Sequence, residues 1–267
     1  MNNERKREAE LLYEKAVELH KEHKTEQAIE LVEKSITVNK EIDNVPGLAE
    51  TIYYKGIIFH ESGHDVKKAL ELFKEALVYF RKIDDAKGIG KALYNIGWTY
   101  RDIGELDKAL KYTRENLELQ KKIGDDDRTA WAHVSIGWVY TAQKEFDSAE
   151  EEYRKAIAMF SDRKDDKGMA FATRFRATSL KHKGEKEKAM IFFKDCLELF
   201  EKLESKWQVA ITLNEIAEIH EEINELEKAI EYYQQMLKIT NELGKTDVST
   251  NIIDHLKNIQ KNETKND

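Results

Sequence analysis

The chain has 267 residues, 36% of them charged, and a formal net charge of −8. That balance, with no long lysine or arginine run, argues against nucleic-acid binding by bulk electrostatics, and no segment approaches the roughly 18 apolar residues of a membrane span. The single cysteine, Cys196, excludes an intramolecular disulfide; it falls on an apolar helix face and reads as a small buried hydrophobe in a reducing cytoplasm.

The N-terminal residues Met1-Asn2-Asn3-Glu4-Arg5-Lys6-Arg7 are followed by no apolar stretch like that of a signal peptide. From there a ruler runs through the chain. Ala28, Ala69, Ala109, Ala149, Ala189 and Ala229 are separated by 41 residues once and by 40 thereafter. The extra residue belongs to the turn Glu61-Ser62-Gly63-His64-Asp65-Val66, where an insertion is tolerated. A second small row precedes the ruler: Ala16, Gly56, Gly97, Gly137, Ala177 and Ala217. Bulky residues follow the ruler alanines by four positions at Val32, Phe73, Tyr153, Phe193 and Tyr233, with Thr113 the exception. Small residues beside large ones are what closely crossing helices require.

Within a repeat the apolar spacing is helical twice. In the second repeat Val66, Ala69, Leu70, Phe73, Leu77, Phe80 and Ile83 make one stripe; after the turn, Ile89, Leu93, Ile96, Gly97, Tyr100 and Ile103 make the next. Aspartates in the inter-repeat turns, such as Asp84-Asp85 and Asp125-Asp126-Asp127, are placed to cap the helix that follows. Pro46 stands where a helix begins, its tolerated place. No stretch alternates with period two, so no strands are expected. A fixed period of this length is the mark of stacked supersecondary units, each burying its face on its neighbours. The expected fold is therefore all-α: an α-solenoid of six antiparallel helix pairs, with repeats at about 5–43, 46–84, 86–124, 126–164, 166–204 and 206–244 in a single domain spanning 1–267. Val248, Ile252, Ile253, Leu256 and Ile259 predict a capping helix over 247–261, and the tail Asn262–Asp267 is expected to fray.

The pattern Leu93, Ile96-Gly97, Tyr100, Gly104, Ala109, Tyr112 resembles the tetratricopeptide repeat (TPR). The run Asp84-Asp85-Ala86-Lys87-Gly88-Ile89-Gly90-Lys91-Ala92-Leu93-Tyr94-Asn95-Ile96-Gly97 is similar to the 40-residue variety found in kinesin-light-chain-like and LGN-like adaptors. The chain departs from the common repeat in lacking its terminal proline. The resemblance implies a right-handed solenoid whose first helices line a concave groove. It places there Tyr53, Lys91, Tyr94, Asn95, Trp98, Arg101, Trp131, Trp138, Phe171, Arg174 and Lys181. Tryptophan, tyrosine and arginine are enriched at binding hot spots; the alternative is that these rings pack between adjacent first helices, and Trp98 and Trp138, one position past their glycines and off the main apolar stripe, favour the groove. Lys91, Arg101, Arg174 and Lys181 suggest a basic groove selecting an acidic segment with an apolar anchor, or else scattered surface charges. The lysine–asparagine and lysine–arginine carboxylate clamp of some tetratricopeptide domains is absent as a set: Lys91 and Asn95 are present, but the neighbouring repeats offer Tyr13, Tyr53, Ser135 and Trp131.

No phosphate loop, nucleophile elbow or metal motif is found. His20 with His23, and His60 with His64, read as solvated helix ends, and His220 as a packing residue. The expected function is a non-enzymatic cytoplasmic scaffold or adaptor that holds a protein or peptide segment, without cofactor, metal, nucleic acid or membrane. Two alternatives stand beside it: a peptide-responsive bacterial regulator of the TPR receptor type, and a self-assembling scaffold.

Overall fold

Residues that recur every three or four positions, punctuated by short polar turns, fold in the computed structural model as thirteen helices among the described residues, 2–63 and 65–266, with side chains described to Ile259. In chain order they are α1 Asn2–Lys21, α2 Thr25–Glu41, α3 Val45–Glu61, α4 Val66–Lys82, α5 Ala86–Asp102, α6 Leu106–Ile123, α7 Asp126–Ala142, α8 Phe146–Asp162, α9 Asp166–Lys183, α10 Lys186–Lys202, α11 Lys206–Glu222, α12 Leu226–Glu242 and α13 Thr246–Asn266. The expected all-α architecture, helix pairs followed by a lone terminal helix, is what the structure shows. The helix contacts sort the chain into two compact units, Met1–Ser135 and Ile136–Asp267, whose boundary falls inside α7.

The turns explain the even spacing. Each contains one residue in the left-handed region. Within the repeats these are His23, Gly63, Gly104, Lys144, Gly184 and Asn224; between repeats they are Asp43, Asp84, Gly124, Lys164, Glu204 and Gly244. Gly184, at φ 90°, takes this shape without a Cβ clash, whereas Lys144 in the equivalent turn takes it at φ 63° against the ordinary steric preference. The aspartate caps between repeats form as expected: Asp85, Asp125 and Asp165 accept from the backbone N–H groups of Gly88, Arg128 and Gly168 at 3.0, 2.9 and 2.9 Å, and Asp65, within a repeat, caps Lys68 in the same way at 2.9 Å. Pro46 lies in the first turn of α3.

All six ruler alanines are fully buried. The small row lies where the second helix crosses. A Cβ added at Gly56 would stand 2.7 Å from the Phe73 ring, one at Gly97 2.7 Å from Thr113 Cγ2, and one at Gly137 2.9 Å from the Tyr153 ring. Each glycine therefore faces the residue four positions after a ruler alanine. Thr113, the exception in that row, occupies the same contact and turns its hydroxyl back to the Ala109 carbonyl at 2.9 Å. Leucine at Gly97 must displace Thr113 and approach the Ala109 backbone, 3.6 Å from the first added atom. Gly97→Leu is expected to cost about 1–3 kcal/mol; an unchanged thermal midpoint would show that this crossing has slack.

The terminal helix differs from expectation at its end. It runs to Asn266, five residues past 261, because Gln260–Asn266 contains neither proline nor glycine to stop it. Asp267, part of the tail expected to fray, lies outside the described residues. Ile252, Leu256 and Ile259 are buried in one cluster with Tyr233 and Met236 of α12, the capping contact the pattern implies. Cys196 is fully buried, and burial pushes its thiol up to about 12.

Candidate binding face

The first helices of successive repeats touch directly, α1 with α3, α3 with α5 and α9 with α11. Side chains on this face are therefore shared between joining the repeats and meeting solvent. In the first unit much of the expected groove set is engaged internally. Tyr53 is buried, its ring 5.7 Å from Phe73 and 6.1 Å from Phe80, and its hydroxyl accepts from Asn95 Nδ2 at 2.6 Å. Burial drives the Tyr53 phenol pKa up. Lys91 Nζ lies 3.2 Å from Glu50 of α3 and 5.8 Å from the Tyr53 ring centre. Arg101 pairs with Asp102 at 2.5 Å and lies over Trp98 at 4.6 Å. Tyr94 tilts against Trp98 at 5.8 Å, and burial raises its pKa. Tyr53, Lys91, Tyr94 and Trp131 converge on one cavity of about 190 Å³, which also takes in Gly90, Asn116, Gln120, Arg128 and Ala132.

The second unit holds Trp138, Phe171, Arg174 and Lys181. Trp138 packs on Phe175 of α9 at 4.6 Å, a residue absent from the expected set. Phe171 lies 6.5 Å from Phe175 and meets the buried Phe200 edge-on at 5.2 Å. Lys181 reaches α11, where Glu215 at 3.0 Å and Glu218 both accept from it. Burial pulls its pKa down, but the two carboxylates outweigh that, and the amine ends above its ordinary value.

Arg174 is the exception among the basic residues. Its guanidinium lies over Phe175 at 5.0 Å and Phe171 at 5.7 Å. Its Nε is buried without a hydrogen-bond partner, and among the described residues no carboxylate forms an ion pair with it. Burial lowers its pKa, with Cys196 and Glu215 pulling the other way. Stacking on aromatic faces orients a guanidinium while leaving its donors to an incoming acceptor. The basic row expected from the sequence thus narrows: Lys91, Arg101 and Lys181 have carboxylate partners and Arg174 does not.

The histidines are absorbed locally. His20 Nδ1 meets the Tyr54 hydroxyl at 3.1 Å, and His60 Nε2 lies 3.4 Å from Asp102. His220 is buried, stacked on Tyr232 at 5.4 Å with Nδ1 2.7 Å from Glu225. His64 lies outside the described residues. Among the described residues no group of three or more histidine, cysteine, aspartate or glutamate side chains is arranged to hold a metal ion, and no helix is long and apolar enough to cross a membrane.

Residues 88–162 match the family model described as Tetratricopeptide repeat, and residues 133–253 match that of Soluble NSF attachment protein, SNAP. The fold is similar to the apo form of RapI, at 16% identity and a TM-score of 0.70, covering 89% of this chain and 99% of that one. It is similar to a Rap protein complexed with Competence and Sporulation Factor, at 14% identity and a TM-score of 0.67, covering 97% and 76%. It is also similar to TPR-like repeats described as kinesin light chain from Podosopora anserina, at 14% identity and a TM-score of 0.62, covering 74% and 97%. No curated protein sequence matches the chain significantly.

Proposed function

We propose that this chain, a tetratricopeptide repeat protein, is a non-enzymatic scaffold of the cytoplasm that binds a protein or peptide segment on the face formed by its first helices. The observation that carries the reading is Arg174, a partly buried cation lying over Phe171 and Phe175 without a carboxylate of its own. Taking a charge from water without a counter-charge is unfavourable, and a ligand carboxylate relieves it. The adjoining rings supply apolar area for an anchor beside that carboxylate. The preferred segment therefore carries an aspartate or glutamate next to an aromatic or aliphatic residue. The fold likeness to a Rap protein in complex with Competence and Sporulation Factor supports a peptide-binding use of such helices. A peptide-responsive regulator would use the same face and differ in what the binding controls.

Selection of a random displayed peptide library against the full chain tests this. Acidic residues beside an apolar anchor should be enriched, and the selected peptides should lose roughly 30-fold in affinity for Arg174→Glu, the scale of a hot-spot loss. Affinity should also fall as salt is raised, since the contact is charged and reaches solvent. Equal binding to both proteins, or selection of basic peptides, would overturn the reading.

A further inference from the structure

Two rows of the second helices reverse their polarity where the fourth and fifth repeats meet. Two positions after the ruler alanines stand Glu30, Glu71, Lys111, Glu151 and Glu231, and Ile191 alone is apolar; its side chain is 59% exposed. One position after them stand Ile29, Leu70, Leu110, Met190 and Ile230, and Glu150 alone is charged. Glu150 accepts from Arg176 of α9, from Nε at 2.7 Å and from a second guanidinium nitrogen at its other oxygen. Arg176 is in register with Ile96, Ile136 and Ile216, and with Lys15 and Lys55 in the first two repeats. Its guanidinium lies over the Phe192 ring at 4.0 Å. The junction is also short of volume: Ser179 occupies a row whose other members, Glu18, Ile58, Thr99, Val139 and Ile219, are all larger. Beside Ser179 lies an open hollow of about 390 Å³, with Phe146, Leu180, Ile191 and Phe192 as its apolar lining. All of these lining residues belong to the second unit.

The charged residues around the hollow are paired. Glu150 holds Arg176, Lys183 meets Asp147 at 2.7 Å and Glu185 at 3.1 Å, and Lys188 meets Glu185 at 2.5 Å. A charged ligand finds no spare counter-charge among them, so the occupant is apolar at its point of contact. Exposed apolar surface rimmed by polar residues marks an interaction site. Here a knob, Ile191, and a hollow share one face. A contact across a two-fold axis uses the same patch on both copies, so the patch must complement itself. Knob beside hollow does this in shape. A rim of both signs does it in charge, where a rim of one sign would repel its own copy. In a chain of net charge −8, two copies meet most readily on a patch whose charges cancel. We propose that a second copy of this chain covers this face, with Ile191 of each copy entering the hollow of the other. Arg174 stays clear of the contact, because residues two apart on a helix point to nearly opposite sides.

Sedimentation velocity on the full chain across the micromolar range tests the contact. The weight-average mass should rise with concentration from one chain toward two and stop there, as a closed two-fold contact requires. Ile191→Glu installs, at an exposed position, the residue found in four other repeats. It should weaken dimerisation roughly 30-fold, the scale of a hot-spot loss, and leave the helicity and thermal midpoint of the dilute protein unchanged. Ser179→Ile fills the hollow from beneath and should also weaken the dimer, in a protein whose thermal midpoint is measured alongside. Lys188→Glu turns the rim acidic and should weaken it by self-repulsion. Ile191→Glu should still bind acidic peptides as the parent chain does, so this inference and the binding-face reading fail separately. A chain that stays monomeric at every concentration, masses that grow beyond two chains, or dimerisation that survives Ile191→Glu would overturn the inference.

Discussion

Phe160→Ala is expected to lower stability by about 3–5 kcal/mol, the range for truncating a buried aromatic side chain. The ring is fully buried, and it fills space that the first helix of the next repeat leaves open: a Cβ at Gly168 would collide with it. Both residues belong to the second unit, so the loss acts where α8 meets α9. In a repeat protein the interface between neighbours carries much of the stability, so a cavity at one junction weakens both sides of it. Domains as a whole are stable by only about 5–15 kcal/mol, and the substitution therefore removes a large part of the total. Urea unfolding followed by circular dichroism measures it. A midpoint shift equivalent to less than about 1 kcal/mol would mean that the site collapses around the missing ring.

The fold was legible because its determinants are local and periodic. The ruler alanines and the glycines twelve or thirteen residues before them mark helix crossings: the alanines are fully buried, and Gly56, Gly97 and Gly137 leave no room for a Cβ beside the facing helix. The capping aspartates act three residues away in sequence, within reach of a reading by pattern. The end of α13 was not legible, because Gln260–Asn266 lacks both an apolar stripe to imply a helix and a breaker to end one.

The pairing of charges on the candidate face was not legible. Lys91 finds Glu50 across 41 residues, Asn95 finds Tyr53 across 42, and Lys181 finds Glu215 and Glu218 across 34 and 37. These offsets are one repeat, give or take a helical turn or two, since adjacent first helices lie side by side. A count of cations along the rows cannot see such pairing, and so it ranks Lys91, Arg101 and Lys181 beside Arg174. Phe175 escaped although Asn95, in the same register two repeats earlier, was assigned to the groove; Tyr54, Ser135 and Glu215 of that register share no common side-chain type, yet Phe175 packs on both Trp138 and Arg174.

Deleting residues 247–266 is expected to unravel the sixth repeat and cause aggregation. Without α13, the apolar side of α12 faces water. Ile252, Leu256 and Ile259 pack in one cluster with Tyr233 and Met236, and burying an aliphatic side chain contributes about 1.5–3 kcal/mol. Polar contacts go with them. Ser249 donates to Thr240 at 2.9 Å, and His255 Nε2 lies 2.9 Å from Glu221, which also accepts from the Tyr233 hydroxyl at 3.1 Å. The His255 ring meets Tyr233 edge-on at 5.0 Å, so its removal exposes a tyrosine that is now buried. A terminal repeat with an apolar outer side is the surface that capping helices exist to cover. Hydrogen exchange on the truncated chain provides the measurement. Protection should fall across residues 206–243 first and stay high toward the middle of the unit, because each repeat rests on its neighbour. Unchanged protection over 206–243 would mean that α12 holds its own position and that α13 is an appendage without a capping role.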